Sequence, residues 1–339
     1  MIDSTGAFPA RVRRRWAGNA VRGRILVPVL PFVLTVATAA ASPNAAVSCG
    51  TFVANWIRPA DGTSPPGFSP YGVAVDRRGD VYVADDATSR IEKFQPDGTF
   101  LPTWGAQGNA AAGFHEPQGI AVDRRGNVYA IDVVVILGDR LLGGRAIRFD
   151  RDGGLVRAWG DADEPSRFVG PNSVAVDGDG KVYVSDSFGH RIEQFRGSGA
   201  FLRMWGTYGT GDGQLDHPLG IAVGRRGAVY VADVGNGRVV QFDSRGRFVR
   251  AWTTAGAGGE MFDSPAGIAV DRRGNVYVTD RIANRVAKFD RKGRFAAGWG
   301  SSGSGDGQLN VPAGIAVDRN GNVFVGDLYN QRLVKFACP

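Results

Sequence analysis

Pro265-Ala-Gly-Ile-Ala-Val-Asp-Arg-Arg-Gly-Asn-Val-Tyr-Val-Thr-Asp280 decides the fold. Ile268 and Val270 alternate with small residues, the pattern of a short strand with one bulky face. Asp271 to Asn275 is a turn, in which the Asp side chain accepts backbone N–H groups and Gly274 takes a positive φ at little cost. Val276 to Asp280 is a second strand. Downstream, Arg285-Val-Ala-Lys-Phe-Asp290 reads as a third, Gly293 as a turn, and Phe295 to Trp299 as a fourth. The unit is therefore four short antiparallel strands joined by hairpins.

The unit is written six times. Its prolines stand at Pro70, Pro117, Pro171, Pro218, Pro265 and Pro312, spaced by 47, 54, 47, 47 and 47 residues. A fixed period of this size marks a solenoid, propeller or array. One such sheet has two half-apolar faces and can bury neither alone, whereas radial packing lets each cover its neighbour's. The third strands repeat Phe94, Phe149, Phe195, Phe242, Phe289 and Phe336; the fourth repeat Trp56, Trp104, Trp159, Trp205, Trp252 and Trp299. At this period the aromatic stripe reads as interblade core rather than as stacking platforms for a ligand. The expected fold is all-β, a six-bladed β-propeller of four-stranded antiparallel blades starting near residues 70, 117, 171, 218, 265 and 312.

The sixth repeat stops after its third strand, at Lys335-Phe336-Ala337-Cys338-Pro339. Cys49-Gly50-Thr51-Phe52-Val-Ala-Asn-Trp56 carries the missing one: Gly50 aligns with Gly293 and Trp56 with Trp299. Strand 49–56 is thus expected to complete the last blade and close the ring. Cys338 and Cys49 then fall on adjacent positions of one turn, which predicts a Cys49–Cys338 disulfide. The alternative, a lipidated Cys49, meets a poor recognition triplet in Ala-Val-Ser and leaves Cys338 unpaired.

Residues 1–41 read as a secretory signal peptide and 42–339 as the propeller domain. Six arginines precede an apolar run from Ile25 to Ala40, with Ala39-Ala40-Ala41 at the cleavage site. Arg13-Arg14-Arg15-Trp16 leaves twin-arginine export open. The product is expected to be secreted or held in the cell envelope. The chain has 40 Lys+Arg against 33 Asp+Glu; the leader holds six of the former and one of the latter, leaving 34 against 32. A footprint for nucleic acid is absent from that balance. No second apolar run reaches membrane-spanning length, and a monomer is expected.

The pattern Pro-x-Gly-Ile-Ala-Val-Asp…Gly-Asn-Val-Tyr-Val-x-Asp…Asn-x-Arg-Val-x-x-Phe-Asp resembles NHL repeats over essentially all of 49–339. The resemblance implies a six-bladed propeller of the kind found in secreted and sensor-type bacterial proteins. The naming triplet is degenerate here: Asn330-Gln331-Arg332-Leu333, Asn236-Gly237-Arg238-Val239 and Gly189-His190-Arg191-Ile192.

Several residues invite chemistry. Each second strand ends in Asp and an Arg follows five residues later: Asp85/Arg90, Asp186/Arg191, Asp233/Arg238, Asp280/Arg285 and Asp327/Arg332, with Asp132/Arg145 spread by an insertion. One ion pair per blade, bracing the hairpin, explains them better than a metal ring. Arg pairs in the Asp-Arg-Arg-Gly turns read as solvated. The loops Gly209 to Leu215 and Gly303 to Leu309 lack the strand before and helix after that a phosphate loop requires. His115, His190 and His217 fall on loops of one face, where three imidazoles can bind zinc. Propeller lyases acting on peptidyl-hydroxyglycine, which this architecture resembles, place zinc histidines directly after the repeat's Pro. Here those positions hold Tyr71, Gln118, Asn172, Leu219, Ala266 and Ala313. No catalytic residue, metal or cofactor is therefore assigned.

What breaks the repeat is more informative. Repeat two inserts Val133-Val-Val-Ile-Leu-Gly-Asp-Arg-Leu-Leu-Gly143 with Gly144, a prolonged hairpin with an apolar tip beside the acidic loop Asp161 to Arg167. Such a protrusion marks a contact site or plugs the channel mouth. The expected binding surface comprises Tyr71, Gln118, Asn172 and His190 with Val135, Ile136, Leu137, Arg140 and Leu141. The expected function is an extracytoplasmic, non-catalytic binding or scaffold propeller for a protein, peptide or glycan. The alternative is a metal-dependent propeller lyase or hydrolase, of the peptidyl-hydroxyglycine lyase or lactonase kind.

Overall fold

The computed structural model describes residues 48–59, 67–108, 113–136, 141–160, 168–253 and 260–338, with the side chains of 106–107, 134–136 and 141–142 excepted. The proposed leader, 1–41, lies outside them. The repeats form six four-stranded antiparallel sheets. In blade five the strands are Pro265–Val270, Val276–Asp280, Arg285–Phe289 and Phe295–Trp299. Val276 stands opposite Phe289 and Asp280 opposite Arg285. Among the described residues, helix is confined to two single 3₁₀ turns, Arg225–Gly227 and Val234–Asn236. No helix there is long and apolar enough to cross a membrane.

The cores lie between blades rather than within them, as a half-apolar sheet requires. Ala269, Tyr277 and Val286 of blade five pack with Ile315, Val323 and Phe336 of blade six. Each outer-strand Trp lies under the turn glycine of the next blade. A Cβ on Gly246 would stand 2.5 Å from the Trp205 ring, and one on Gly50 2.5 Å from Trp299. Both glycines also sit at positive φ, 81° and 89°, so no other residue meets both demands cheaply.

The ring closes as the register of Gly50 and Trp56 predicts. Strand Thr51–Trp56 pairs antiparallel with Arg332–Ala337, Trp56 opposite Leu333. Cys49 and Cys338 form a disulfide. On the axis, the inner strands of blades six and one also meet: a Cβ on Gly314 would approach the Tyr71 carbonyl oxygen to 2.5 Å.

Candidate functional site

The strand order gives the disc two faces. One, the turn face, carries the hairpins after the first and third strands. The other, the loop face, carries the hairpins after the second strands and the connections between blades.

On the turn face, Asp271 is the anchor its sequence position implies. Its Oδ1 accepts the N–H groups of Arg273 and Asn275, both at 2.8 Å, and its Oδ2 accepts from Asn275 Nδ2 and Tyr277 Oη. Asp76, Asp123, Asp177 and Asp318 repeat the two backbone bonds. Blade four has Gly224 instead, and there the turn tightens into the 3₁₀ segment Arg225–Gly227. A cavity of about 350 Å³ opens at this end of the axis, with Asp76, Asp123, Asp271 and Asp318 alternating with Arg77, Arg124, Arg272 and Arg319.

The Asp–Arg pairs sit at the opposite end. Arg238 Nε is 2.7 Å from Asp233 and Arg332 Nε 2.8 Å from Asp327. Arg191 is 3.0 Å from Asp186, Arg145 3.1 Å from Asp132, and Arg285 3.7 Å from Asp280. The guanidinium also ties down the preceding interblade loop, a role wider than bracing one hairpin: Arg238 donates to the carbonyls of Thr210, Gly211 and Gln214.

In blade one further donors hold the strand-ending carboxylate. Arg90 stands opposite Asp85 across the two strands. Asp85 Oδ1 accepts the Ser69 and Ala87 N–H groups, and Oδ2 accepts the Thr88 hydroxyl at 2.7 Å. In blades four and six the equivalent Oδ2 takes the Arg Nε; here it takes the Thr88 hydroxyl. The positive charge that opposes the burial of Asp85 comes from Arg58, which is itself bound to Glu92. A buried acid two residues beyond Arg90 has therefore drawn in a cation from the ring-closing segment.

At the loop-face mouth of the channel, Tyr71, Gln118 and Asn172 come together. Asn172 Nδ2 donates to Gln118 Oε1 at 2.5 Å and reaches Tyr71 Oη at 3.4 Å, while the Arg281 guanidinium lies 4.9 Å over the Tyr71 ring. Leu219, Ala266 and Ala313 complete the lining. The cavity they enclose is about 60 Å³, against roughly 300–1,000 Å³ for sites that engulf a metabolite-sized ligand.

Farther out, the face carries exposed apolar side chains. Seven large apolar side chains among the described residues are more than half exposed, and six lie on loop-face connections: Ile57, Phe188, Tyr208, Met261, Ile282 and Tyr329. Phe188, Ile282 and Tyr329 occupy one repeat position, two residues after the strand-ending Asp. The blade-two hairpin rises from the same face, as Val128–Ile136 paired with Leu141–Phe149 through Leu141 opposite Ile136. Leu137 and Arg140 of the expected surface lie outside the described residues, as does the acidic loop 161–167. Val135, Ile136 and Leu141 are placed by backbone only.

His190 and His217 meet at the border of blades three and four, with Asp216 between them. His217 Nδ1 is 2.7 Å and His190 Nδ1 3.6 Å from Asp216 Oδ1. The Tyr208 ring stands 4.8 Å from His190, and Phe188 stands 5.5 Å from His217. His115 is elsewhere, its Nδ1 3.5 Å from Asp132.

Two buried acids escape a reading of motifs. Glu92 and Glu193 are fully buried on third strands, where the matching positions of other blades hold Ile147, Val240, Ala287 and Val334. Aligning the repeats exposes the two charges. Glu193 Oε1 is 2.8 Å from Arg191. Glu92 Oε1 is 3.1 Å from Arg58 and 3.2 Å from the Thr88 hydroxyl. Burial, with Asp85 adding to it and Arg58 opposing, pushes the Glu92 carboxyl up to about 7. Burial lifts Asp86 to about 6.

The NHL-repeat family pattern matches residues 215–242, 262–289 and 309–336, in blades four, five and six. No curated protein matches the sequence. Among solved structures, a Xanthomonas campestris gluconolactonase superposes with a TM-score of 0.59 at 18% identity, over 88% of this chain and 99% of that one. An auxiliary nutrient binding protein from Bacteroides ovatus gives 0.60 at 15%, over 84% and 76%. A virginiamycin B lyase from Staphylococcus aureus, crystallised with quinupristin, gives 0.51 at 14%, over 79% and 80%. These likenesses establish the propeller fold.

Proposed function

We propose that this NHL-repeat propeller is an extracytoplasmic, non-catalytic binding domain that captures a protein, peptide or glycan on its loop face. One observation carries the reading: among the described residues, six of the seven large apolar side chains that are more than half exposed lie on that face, and exposed apolar area concentrated in one place marks a contact surface. Beside them rises the blade-two hairpin, the largest departure from the repeat. The small cavity at the loop-face mouth favours a partner lying across the rim over a metabolite drawn into the axis from that side. Propellers of this fold serve as lyase, lactonase and nutrient binder alike, so the site and not the fold has to decide. The leader expected over residues 1–41 and the Cys49–Cys338 disulfide favour an oxidising compartment.

The test is capture from envelope and culture-medium extracts with the exported chain as bait. Residues 133–144 are exchanged for Val-Gly-Asn-Gly, the connection that joins the same two strands in blade four. The exchange should leave the melting temperature within a few degrees and abolish capture. Capture that survives both this exchange and Tyr329→Ser removes the loop face as the site.

A further inference from the structure

We propose that His190, Asp216 and His217 bind one divalent cation of the zinc class on the loop face. The inference does not depend on which partner the rim takes. At the border of blades five and six, Asn284 Oδ1 accepts the N–H of Val311 at 2.8 Å. At the border of blades three and four, His190 Nδ1 accepts the N–H of His217 at 3.2 Å. The two bonds are equivalent in the repeat, and the backbones match: φ is 52° and 57° for Asn284 and Val311, 51° and 48° for His190 and His217. An Asn and a Val therefore meet the structural need, and two imidazoles exceed it.

The third donor is built in as well. Gly235 stands at the repeat position that holds Phe188, Ile282 and Tyr329 in three other blades. A Cβ there would lie 2.4 Å from the Asp216 carboxyl carbon, so glycine opens the space that the carboxylate fills. Asp216 is held from both sides of its backbone: its N–H donates to Asp233 Oδ1 at 2.6 Å, and its carbonyl accepts the N–H of Gly235 at 2.9 Å.

Donor distances fit an ion. Tetrahedral ligands at zinc bond lengths stand about 3.3 Å apart, and the His217–Asp216 and His190–Asp216 separations of 2.7 and 3.6 Å bracket that spacing. All three donors lie within 4.8 Å of one another. The cation replaces the proton shared by His217 Nδ1 and Asp216 Oδ1 and takes the His190 Nδ1 lone pair from its long bond to the His217 N–H. The displaced proton passes to Nε2 of the same His217 ring, so the imidazole binds in its neutral form. Two imidazoles with one carboxylate suit zinc, copper or nickel rather than calcium or magnesium, which need an oxygen cage. The side chains of His190, Asp216 and His217 are 20%, 22% and 48% exposed, which leaves solvent an open coordination position.

The experiment titrates ZnCl₂ into the tag-free exported chain by calorimetry, with Co²⁺ as an optical reporter. The expected result is one equivalent bound with a Kd of about 1–10 μM and a visible Co²⁺ band. His190→Asn and His217→Val, the residues the fold itself uses at these positions in blades five and six, should each weaken binding at least about tenfold while leaving the melting curve unchanged. His115→Asn should bind as wild type. The proposal is overturned if the wild type takes up no zinc at 100 μM, an excess of about tenfold or more over that Kd. It is overturned equally if both ligand variants bind as it does.

Discussion

The two faces of this disc are made by the same six repeats and obey different rules. On the turn face the repeat's aspartates are spent on the chain's own backbone: Asp76, Asp123, Asp177, Asp271 and Asp318 each close a turn by accepting two N–H groups. On the loop face the same repeat position holds Ala87, Phe188, Gly235, Ile282 or Tyr329, and only what lies beneath it is fixed. Asp233 and Arg238 anchor the connection before their blade, and the tip above is left to vary. If the loop face is the contact surface, stability and recognition are separated by the length of one strand. A repeat protein gains from that arrangement, because loops held by a rigid scaffold can change without disturbing the interblade cores.

The largest effect that tests this division comes from the turn face, where the ring is sewn shut. The Cys49–Cys338 bond spans 289 residues. Replacing both cysteines by Ser frees the unfolded chain and should destabilise by roughly 3–5 kcal/mol, lowering the melting temperature by about 10 °C. The folded fraction should still capture partner at wild-type affinity. Loss of capture from fully folded material would mean that closure shapes the loop face and that the two faces are not independent.

The next effect belongs to the layer just under the loop face. Glu92 titrates at about 7 in the folded state against 4.5 as its ordinary value. The native state then holds a proton that the unfolded chain has released, so stability falls as pH rises through the window from 4.5 to 7, and the penalty is complete above it. The shift corresponds to about 3 kcal/mol. Asp86, lifted to about 6, acts in the same direction. In Glu92→Gln, urea unfolding between pH 5 and 7.5 should show a markedly flatter dependence of stability on pH. The slope is the quantity to compare, since the substitution also leaves Arg58 with less charge opposite it. An unchanged slope would remove Glu92 as its source.

What the sequence makes legible follows the same division. The repeat announces itself because every blade needs the same contacts. A turn glycine under the preceding Trp fixes Gly50, Gly98, Gly153, Gly199, Gly246 and Gly293, and this is why the missing outer strand could be found at the other end of the chain. The pairing of Cys49 with Cys338 followed from that register. The part Thr88 plays was not legible from spacing: its hydroxyl donates to an Asp85 carboxylate oxygen, while Arg90 keeps the repeat's offset. The joining of His190 with His217 was not legible, because they are 27 residues apart and belong to different blades. The clue was present in another form: Asn284 and Val311 have the same offset and make the same bond, but only coordinates reveal that this offset is a contact. Asp216 was hidden because its space is created by an absence, the side chain that Gly235 lacks. Glu92 and Glu193 were hidden by their strands, which read as alternating until the six copies are laid side by side.

The smallest effects give the sharpest contrast between the faces, one substitution on each. Asp271→Ala removes the acceptor for two backbone N–H groups and for Tyr277 Oη, and Tyr277 is almost wholly buried. The unmet donors should cost about 1–3 kcal/mol. Nothing on the loop face changes, so capture of the partner should stay at the wild-type level. Ile282→Ser alters a side chain that is 68% exposed and makes no part of the core, so stability should move by less than about 0.5 kcal/mol. If the apolar rim is the contact surface, that nearly silent change should weaken capture by about tenfold, the loss of roughly one buried side chain's worth of apolar area. Chemical denaturation and capture measured on the same two samples give four numbers, and the division of labour requires them to cross. Parallel losses in both variants would show a single cooperative surface, with recognition distributed through the disc rather than carried on one side of it.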